Sequence, residues 1–228
     1  MCRTRTAVTS RGAVLRRSRS VGGCADMERV PGWPVTLAEG PVGLRPHRFR
    51  DARAWSEARI ANEAWLAPWE PTAARPWKRR HAPSEYGPLY RSLRRGVRTG
   101  QVVPFVITYE DRFAGQLTLG DIVRGAVCSA YAGYWVDGRL AGRGIMPTAL
   151  AMAVDFAFTS AGLHRVEVNI RPENRASRRV VEKLGFRQEG FHPRYMHVDG
   201  DWRDHVGYAL TVEDVAPFGL LARWRANR

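Results

Sequence analysis

The sequence predicts an α+β fold in which a mixed, largely antiparallel sheet of six to seven strands is flanked by about four helices. Some segments have apolar residues at every second position, as in strands, and others have them at every third or fourth position, as in helices. Both kinds of segment occur along the chain. Turn residues join several neighbouring strands directly, which favours antiparallel hairpins. Strand–helix–strand units in the middle of the chain favour parallel neighbours, so we expect the sheet to be mixed.

The first part of the predicted domain is a strand followed by two helices. Residues 42–49 read as a strand, and Asp51 then caps a helix in which Trp55, Ala58 and Ala61 recur at helical spacing. A loop with the sequence WLAPWEPT and the basic run KRRH lead to a second helix at about 84–95. We interpret the basic run as a solvated loop.

Three strands are expected next, at 102–109, 113–123 and 129–136, because these segments are rich in β-branched and aromatic residues. The first two are joined by a Glu-Asp-Arg turn and the last two by an Arg-Gly pair, as in hairpins. These strands therefore predict an antiparallel meander.

The second half alternates helices and strands. An almost wholly apolar helix is expected at about 144–160, and a helix so apolar must be covered on most sides. A clearly alternating strand, HRVEVNI, follows, and then an amphipathic helix, NRASRRVVEKLGF, stopped by Gly185. Two final strands surround Asp199-Gly200, a preferred pair for a tight hairpin turn.

We expect one domain at 41–213, after an N-terminal extension at 1–40 that is disordered and before a C-terminal tail at 214–228.

The chain has a formal net charge of +14, and residues 1–26 hold six arginines against one aspartate. The remainder is therefore moderately basic, which is compatible with binding to RNA or to the ribosome. No apolar stretch is long enough to cross a bilayer, and the three cysteines show no metal-type spacing. We expect a cytoplasmic protein without a metal ion or a membrane partner.

A glycine-rich turn lies between the third meander strand and the apolar helix, with the pattern Arg139-x-x-Gly142-x-Gly144. Backbone N–H groups that converge at a helix N-terminus bind phosphate groups, because they and the helix dipole favour negative charge there. Taken alone, such a turn more often serves only the backbone geometry. The Lys-Ser/Thr pair of a P-loop is absent, and the spacing is not Gly-x-Gly-x-x-Gly.

Two motifs in this order resemble the GNAT superfamily of acetyl-CoA-dependent N-acetyltransferases. The glycine turn resembles its pyrophosphate-binding motif, and NRASRRVVEKLGF resembles the next motif, in which Asn-x-x-Ser opens a helix. Within the superfamily, the chain resembles the RimJ/RimL branch of protein N-terminal acetyltransferases, known for ribosomal proteins. The segments LAPWEP, GRGIM, LHRVEVNIRPENRAS and EGFHPRYMHVDGDWRDHV carry this likeness, which covers about residues 42–213.

The resemblance implies a GNAT-like sheet with a splayed central strand pair and acetyl-CoA as cosubstrate. It places three groups of residues on the cosubstrate: Tyr134, Trp135 and Val136 along the pantetheine arm; Arg139, Gly142, Arg143, Gly144 and Ile145 at the pyrophosphate motif; and Asn174 and Ser177 near the thioester. Structural alternatives remain open, since Trp135 also suits a core position, Asn174 a plain N-cap and Ser177 an ordinary helix residue.

The chemistry requires a base that removes a proton from the attacking amine and favours an acid near the leaving sulfur. Ser177 matches a serine that the RimL-type branch is thought to use near the sulfur. Some relatives carry a glutamate five residues before the asparagine of this motif, but Asn169 stands there, and the glutamate of RimL-type relatives falls near Met196. The base is therefore not assigned by the resemblance.

Glu70 is the best remaining candidate for the base, because its loop lies at the acceptor side in the family. Its neighbours Trp65 and Trp69 would desolvate it and raise its pKa. Glu167 is the second candidate, and Tyr195 is a candidate acid, although its segment also suits a half-buried strand.

The resemblance implies transfer of an acetyl group to a primary amine, best the N-terminal α-amine of a protein such as a ribosomal protein. One alternative is an enzyme for a small amine such as a polyamine or aminoglycoside, which would call for an acidic acceptor pocket. Another is a non-catalytic module that binds the ribosome or RNA through the basic charge. The sequence leaves the oligomeric state open.

Overall fold

The computed structural model describes residues 29–227. It contains one eight-stranded sheet against which several helices pack. The strand order is β1-β2-β3-β4-β5-β6-β8-β7, and every neighbouring pair is antiparallel except β5 and β6. The strands are β1 (Leu37–Glu39), β2 (Val42–Pro46), β3 (Val103–Tyr109), β4 (Arg112–Val123), β5 (Ser129–Val136), β6 (Arg165–Ile170), β7 (Arg187–Val198) and β8 (Asp201–Thr211). The predicted mixed, largely antiparallel α+β fold is confirmed, with one strand more than expected because three-residue β1 is too short to show alternation.

The helices are α1 (Ala52–Ala61), α2 (Glu63–Leu66), α3 (Trp77–Arg80), α4 (Tyr86–Arg98), α5 (Ile145–Thr159), α6 (Arg175–Lys183), α7 (Val212–Val215) and α8 (Leu220–Ala226). The sequence predicts the longer ones, α1, α4, α5 and α6, whereas one or two turns of helix leave no periodic pattern. Within residues 29–227, no helix has the length and apolar character that crossing a membrane requires.

The parallel pair β5 and β6 separates after a short contact. Pairing joins Ser129–Tyr131 to Arg165–Glu167, and beyond it the strands diverge. The hydroxyl of Tyr131 spans the gap, since it accepts a hydrogen bond from Asn169 N at 2.9 Å and donates one to Asn169 O at 3.1 Å. Burial raises the pKa of Tyr131 to about 12, so the hydroxyl keeps the proton that it donates. The predicted splayed strand pair is confirmed.

Helix α5 packs between the sheet and the C-terminal helix α8. Leu150 and Val154 of α5 and Leu220 of α8 are fully buried, and Trp224 of α8 is nearly so. Trp224 Nε1 donates a hydrogen bond to Thr148 Oγ1 at 2.9 Å. The sequence predicts a tail at 214–228, but the structure forms α8 there, because the apolar surface of α5 needs a cover.

The N-terminal boundary also differs from the predicted extension at 1–40. Val30 is buried, and the Trp33 ring lies 5.1 Å from the ring of Phe105 in β3. Residues 29–40 therefore belong to the packed domain, because these apolar side chains cover the sheet. The remainder of the predicted extension, 1–28, lies outside the described residues.

The N-terminus of α8 is capped by a carboxylate from α5. Asp155 Oδ1 accepts a hydrogen bond from Leu220 N at 2.6 Å, and Oδ2 accepts one from Leu221 N at 3.0 Å. We expect Asp155→Ala to lower the free energy of unfolding by about 1–2 kcal/mol, as for the loss of a helix cap. Urea unfolding measures this change, and Asp155→Asn, which keeps one acceptor oxygen, should lose less. Equal stability of Asp155→Ala and the wild type would contradict a capping role.

Candidate functional site

A cavity of about 560 Å³ lies where β5 and β6 separate. It is bounded by the end of β5, the turn into α5, one face of α6 and the loop after α2. Its lining includes most of the predicted site: Glu70, Tyr134, Trp135, Val136, Gly142, Gly144, Ile145, Asn174 and Ser177. The structure thus gathers at one cavity residues that lie more than a hundred positions apart in the sequence.

The glycine turn opens the fifteen-residue helix α5 at the wall of this cavity. Gly142 and Gly144 have φ angles of +80° and +75°, a left-handed backbone that glycine adopts without strain. A Cβ atom at Gly142 would have no heavy atom within 4 Å. Pro147 lies in the first turn, where a missing N–H breaks no helical hydrogen bond. The turn therefore has the open space and the helix N-terminus of an anion cradle.

The two arginines of the glycine motif do not line the cavity. The guanidinium of Arg139 binds the buried carboxylate of Asp137 at 2.5 Å, and the same carboxylate accepts a hydrogen bond from Arg139 N at 3.0 Å. Arg143 lies over the ring of Tyr109, 6.0 Å from its centroid. Arg139 thus shapes the turn through Asp137, and contact of either arginine with a ligand stays a prediction.

Three cations of α6, Arg175, Arg179 and Lys183, line the cavity, and the sequence analysis assigns them no role. They are spaced four residues apart, so they lie on one helix face. That spacing is a signal that could have found them. Their charges suit a ligand with phosphate groups.

Tyr134 and Asn174 both contact Ser177. Asn174 Oδ1 accepts a hydrogen bond from Ser177 N at 3.0 Å and so caps α6, as predicted for the N-cap. The Tyr134 hydroxyl lies 2.9 Å from Ser177 Oγ, within hydrogen-bond distance. Burial raises the pKa of the Tyr134 phenol, which therefore stays protonated at neutral pH. The two hydroxyls form a neutral, proton-carrying pair on the cavity wall.

The last residues of β5 are fixed by side chains from other elements. Trp135 Nε1 donates a hydrogen bond to Gln116 Oε1 at 2.9 Å. Trp65 Nε1 donates one to Val136 O at 3.2 Å. The Val136 carbonyl can accept a second hydrogen bond, since a carbonyl oxygen has two lone pairs. A role of Val136 in holding pantetheine is compatible with this contact.

Glu70 is paired with a buried cation. Its Oε1 lies 2.8 Å from Arg59 Nη2, and the Arg59 side chain is only 8% exposed. The Arg59 guanidinium lies between two rings, 5.2 Å from the Trp77 centroid and 5.0 Å from the Trp135 centroid. Burial lowers the pKa of Arg59, but a guanidinium remains charged at neutral pH. Glu70 is therefore held in place by a cation, a contact that the sequence analysis missed.

The loop that carries Glu70 is also tied to the end of β6. Arg171 Nη1 donates a hydrogen bond to Pro68 O at 2.7 Å, and its guanidinium lies 5.3 Å from the Trp69 ring centroid. The sequence gives no signal for Arg59, whose burial depends on the Trp135 ring of β5, or for Arg171, whose contacts lie about a hundred positions away. The ion pair of Arg59 with Glu70 and the hydrogen bond of Arg171 with Pro68 both restrict the motion of the loop.

The remaining candidates lie outside the lining of this cavity. Tyr195 is 44% exposed, and its hydroxyl accepts a hydrogen bond from Asn169 Nδ2 at 2.9 Å. Glu167 forms an ion pair with Arg165 at 2.5 Å. Among the predicted catalytic residues, the structure thus brings Glu70 and Ser177 to one cavity but does not bring Tyr195 there.

The splayed strand pair, the open N-terminus of α5 and the cations of α6 together suit a ligand that carries phosphate groups, as a CoA thioester does. Comparison with known families agrees with such a ligand. The chain belongs to the acetyltransferase (GNAT) domain family, whose model matches residues 42–187. The resemblance to this superfamily and the acetyl-CoA-dependent N-acetyltransferase class are confirmed.

Individual relatives point to the RimJ/RimL branch. The chain is 30% identical to the [ribosomal protein uS5]-alanine N-acetyltransferase of Escherichia coli strain K12. This alignment of 186 residues covers 80% of this chain and 94% of that protein. It is 40% identical over 105 residues to the probable N-acetyltransferase YjcK of Bacillus subtilis strain 168, a match that spans 46% of this chain and 58% of that relative. A solved structure of Mycobacterium smegmatis RimJ in complex with CoA-disulfide is 46% identical, with a TM-score of 0.83, and covers 86% of this chain and 96% of that chain.

Proposed function

We propose that this acetyltransferase transfers the acetyl group of acetyl-CoA to the N-terminal α-amine of a protein, such as a ribosomal protein. The observation that carries this proposal is a cavity that connects the glycine turn to Trp65 of α2 and to Trp69 and Glu70 in the loop that follows it. The names of the E. coli relative and of the RimJ structure support a ribosomal-protein acceptor and CoA as the carrier.

The residues at the glycine turn fit the phosphate groups of acetyl-CoA. The N–H groups of residues 142–145 are available at the N-terminus of α5, whose dipole contributes about 0.3–1 kcal/mol of attraction to an anion. The cations of α6 supplement this attraction at the cavity wall. The edge of β5 that leaves β6 after Tyr131 offers backbone groups for the amides of the pantetheine arm. When bound, acetyl-CoA supplies an activated acetyl thioester.

Two sets of residues handle protons in this proposal. Glu70 accepts a proton from the incoming ammonium, directly or through water, because it is the carboxylate fixed in the acceptor loop. The Tyr134 and Ser177 hydroxyls supply a hydrogen bond or a proton to the leaving sulfur. The neutral Tyr134 phenol is suited to donate, since burial raises its pKa.

The charges near the acceptor loop favour a peptide over a polyamine or an aminoglycoside. A polycation calls for several unpaired carboxylates, whereas Glu70 is paired with Arg59, and Glu173 lies 3.3 Å from Arg171. Trp65 and Trp69 supply apolar surface for the first side chains of a peptide. A purely RNA-binding module would not require a hydroxyl pair and a carboxylate at one cavity.

The test is acetylation of a peptide panel, with mass detection of the products and measurement of released thiol. We expect acetylation at the N-terminal amine of peptides that begin with Ala or Ser, and little with spermidine or kanamycin. N-terminally blocked peptides that carry an internal lysine serve as the control for the α-amine. Faster transfer to a small amine than to every peptide would overturn the proposed acceptor.

Ser177→Ala tests the hydroxyl pair. We expect kcat to fall by about tenfold, since loss of a hydrogen bond to a charged leaving group is worth about 1.5 kcal/mol or more. The affinity for CoA, measured by calorimetry, should change little. Ser177→Thr, which keeps a hydroxyl, is the matched variant and should retain most of the activity. A drop in kcat of equal size in both variants would indicate a packing effect instead.

A further inference from the structure

A second cavity, of about 510 Å³, lies between the segment 29–34, the strands β2 and β3 and the helix α4. None of its lining residues lines the cavity at the glycine turn. The proposed acetyl transfer uses no part of it. Three arginines, Arg29, Arg94 and Arg98, are among its lining residues.

Apart from the arginines and the buried His47, the side chains that line this cavity are apolar or aromatic. Trp33 and Tyr90 line it together with prolines and aliphatic residues. Trp33 is held by edge contacts with Phe105 at 5.1 Å and Phe156 at 6.5 Å. Tyr90 stacks on the buried Tyr86 with the ring centroids 6.3 Å apart. Such rigid aromatic surfaces suit a planar, uncharged group such as a nucleobase.

The surroundings of the cavity are basic. Helix α4 carries Arg91, Arg94, Arg95 and Arg98, all exposed, and contains no Asp or Glu. Their spacing of three and four residues places them along one side of the helix. None of these four arginines takes part in the ion pairs found among residues 29–227. This face of α4 thus offers guanidinium groups to an anionic partner.

An exposed aromatic residue extends the surface beyond the cavity. Phe49 is 65% exposed, and its ring lies 6.1 Å from that of Tyr90. The guanidinium of Arg94 lies on the Tyr90 ring as well, 5.8 Å from its centroid. Aromatic rings interleaved with arginines are the combination by which proteins bind single-stranded nucleic acids, with bases on the rings and phosphates on the cations.

We propose that α4 and this second cavity bind single-stranded RNA, with an unstacked base between Trp33 and Tyr90 and phosphates on the arginines of α4. Single-stranded nucleic acid is inferred from the rings and charges alone. The choice of RNA over DNA rests on the proposed function, because a ribosomal-protein acceptor is carried on RNA.

The experiment measures binding of the full chain to a labelled oligouridine of about 12 nucleotides, within the range of known single-strand sites, by fluorescence anisotropy at several salt concentrations. Tyr90→Ala should weaken binding by about 5- to 150-fold, the effect of losing one stacked base, whereas Tyr90→Phe keeps the ring and most of the affinity. Arg98→Ala should reduce the slope of log K against log salt by about 1.

Arg112→Ala is the matched control for charge, because Arg112 is an exposed arginine at the start of β4. Equal losses in Arg98→Ala and Arg112→Ala, or unchanged affinity in Tyr90→Ala, would overturn the proposed site. Failure of the wild type to bind oligouridine at all would also overturn the proposed site. The DNA oligomer of the same length, oligothymidine, is measured in parallel, and stronger binding of this DNA would overturn the choice of RNA.

Peptide acetylation by the same variants separates this proposal from the proposed function. The variants should acetylate peptides at the wild-type rate. Failure of the wild type to acetylate any peptide refutes only the proposed acetyl acceptor.

Discussion

Gly142→Glu is expected to weaken the binding of CoA by about 100-fold or more, equal to about 2.7 kcal/mol, because a carboxylate would project into the anion cradle. A side chain at Gly142 meets open space, so it is not kept out by neighbouring atoms. Its charge would oppose the phosphate groups and offset the attraction of the α5 dipole. Isothermal calorimetry with CoA measures the change.

Gly125→Glu is a closely matched control. Gly125 has a φ angle of +74°, a Cβ there also meets no atom within 4 Å, and the residue is exposed in the turn between β4 and β5. Both substitutions therefore carry the same backbone strain and the same change of charge. We expect similar losses in the free energy of unfolding, but loss of CoA affinity only in Gly142→Glu. Equal affinities in the two variants would remove the glycine turn from the CoA site.

Glu70→Gln is expected to lower kcat by about 10²–10⁴-fold, the usual contribution of a general base. The amide keeps the size of the side chain but cannot accept the ammonium proton. The KM for acetyl-CoA should change little, since Glu70 belongs to the acceptor loop. Steady-state rates with an Ala-starting peptide, at saturating acetyl-CoA, measure the effect.

Glu63→Gln provides the control for charge, because Glu63 is an exposed carboxylate on α2, close to Glu70 in the chain. Arg59→Lys separates position from charge, since lysine keeps the cation but not the planar guanidinium between the Trp77 and Trp135 rings. We expect an intermediate kcat for Arg59→Lys. If Glu70→Gln retains the rate of Glu63→Gln, another group is the base.

Structural features that a few adjacent residues determine could be predicted from the sequence. The Asp199-Gly200 pair predicts a hairpin, and both residues adopt the positive φ angles, +51° and +80°, that such a turn requires. The apolar character of α5 predicts that other elements cover it, but not that residues 220–226 do so. Three large apolar residues, Leu220, Leu221 and Trp224, span only about one turn, which is too short a pattern to distinguish a helix from a tail.

The same distinction holds for the site. Residues of one contiguous motif, such as Gly142 and Gly144, could be predicted, because the turn and the helix start are encoded together. The Arg59–Glu70 ion pair could not, because an arginine on an amphipathic helix reads as a solvent-exposed residue. Its burial depends on Trp77 and Trp135, which reach it from distant parts of the chain.

The hydroxyl of Tyr131 has a consequence for the free energy of ligand binding. Because the hydroxyl accepts from the N–H of Asn169 and donates to its C=O, both backbone groups of this β6 residue stay hydrogen-bonded where β5 and β6 separate. The edge of β5 is therefore preorganised, and a ligand that pairs with it need not first break a strand–strand ladder. Binding free energy that would otherwise be used to separate the strands remains available for affinity and for alignment of the thioester.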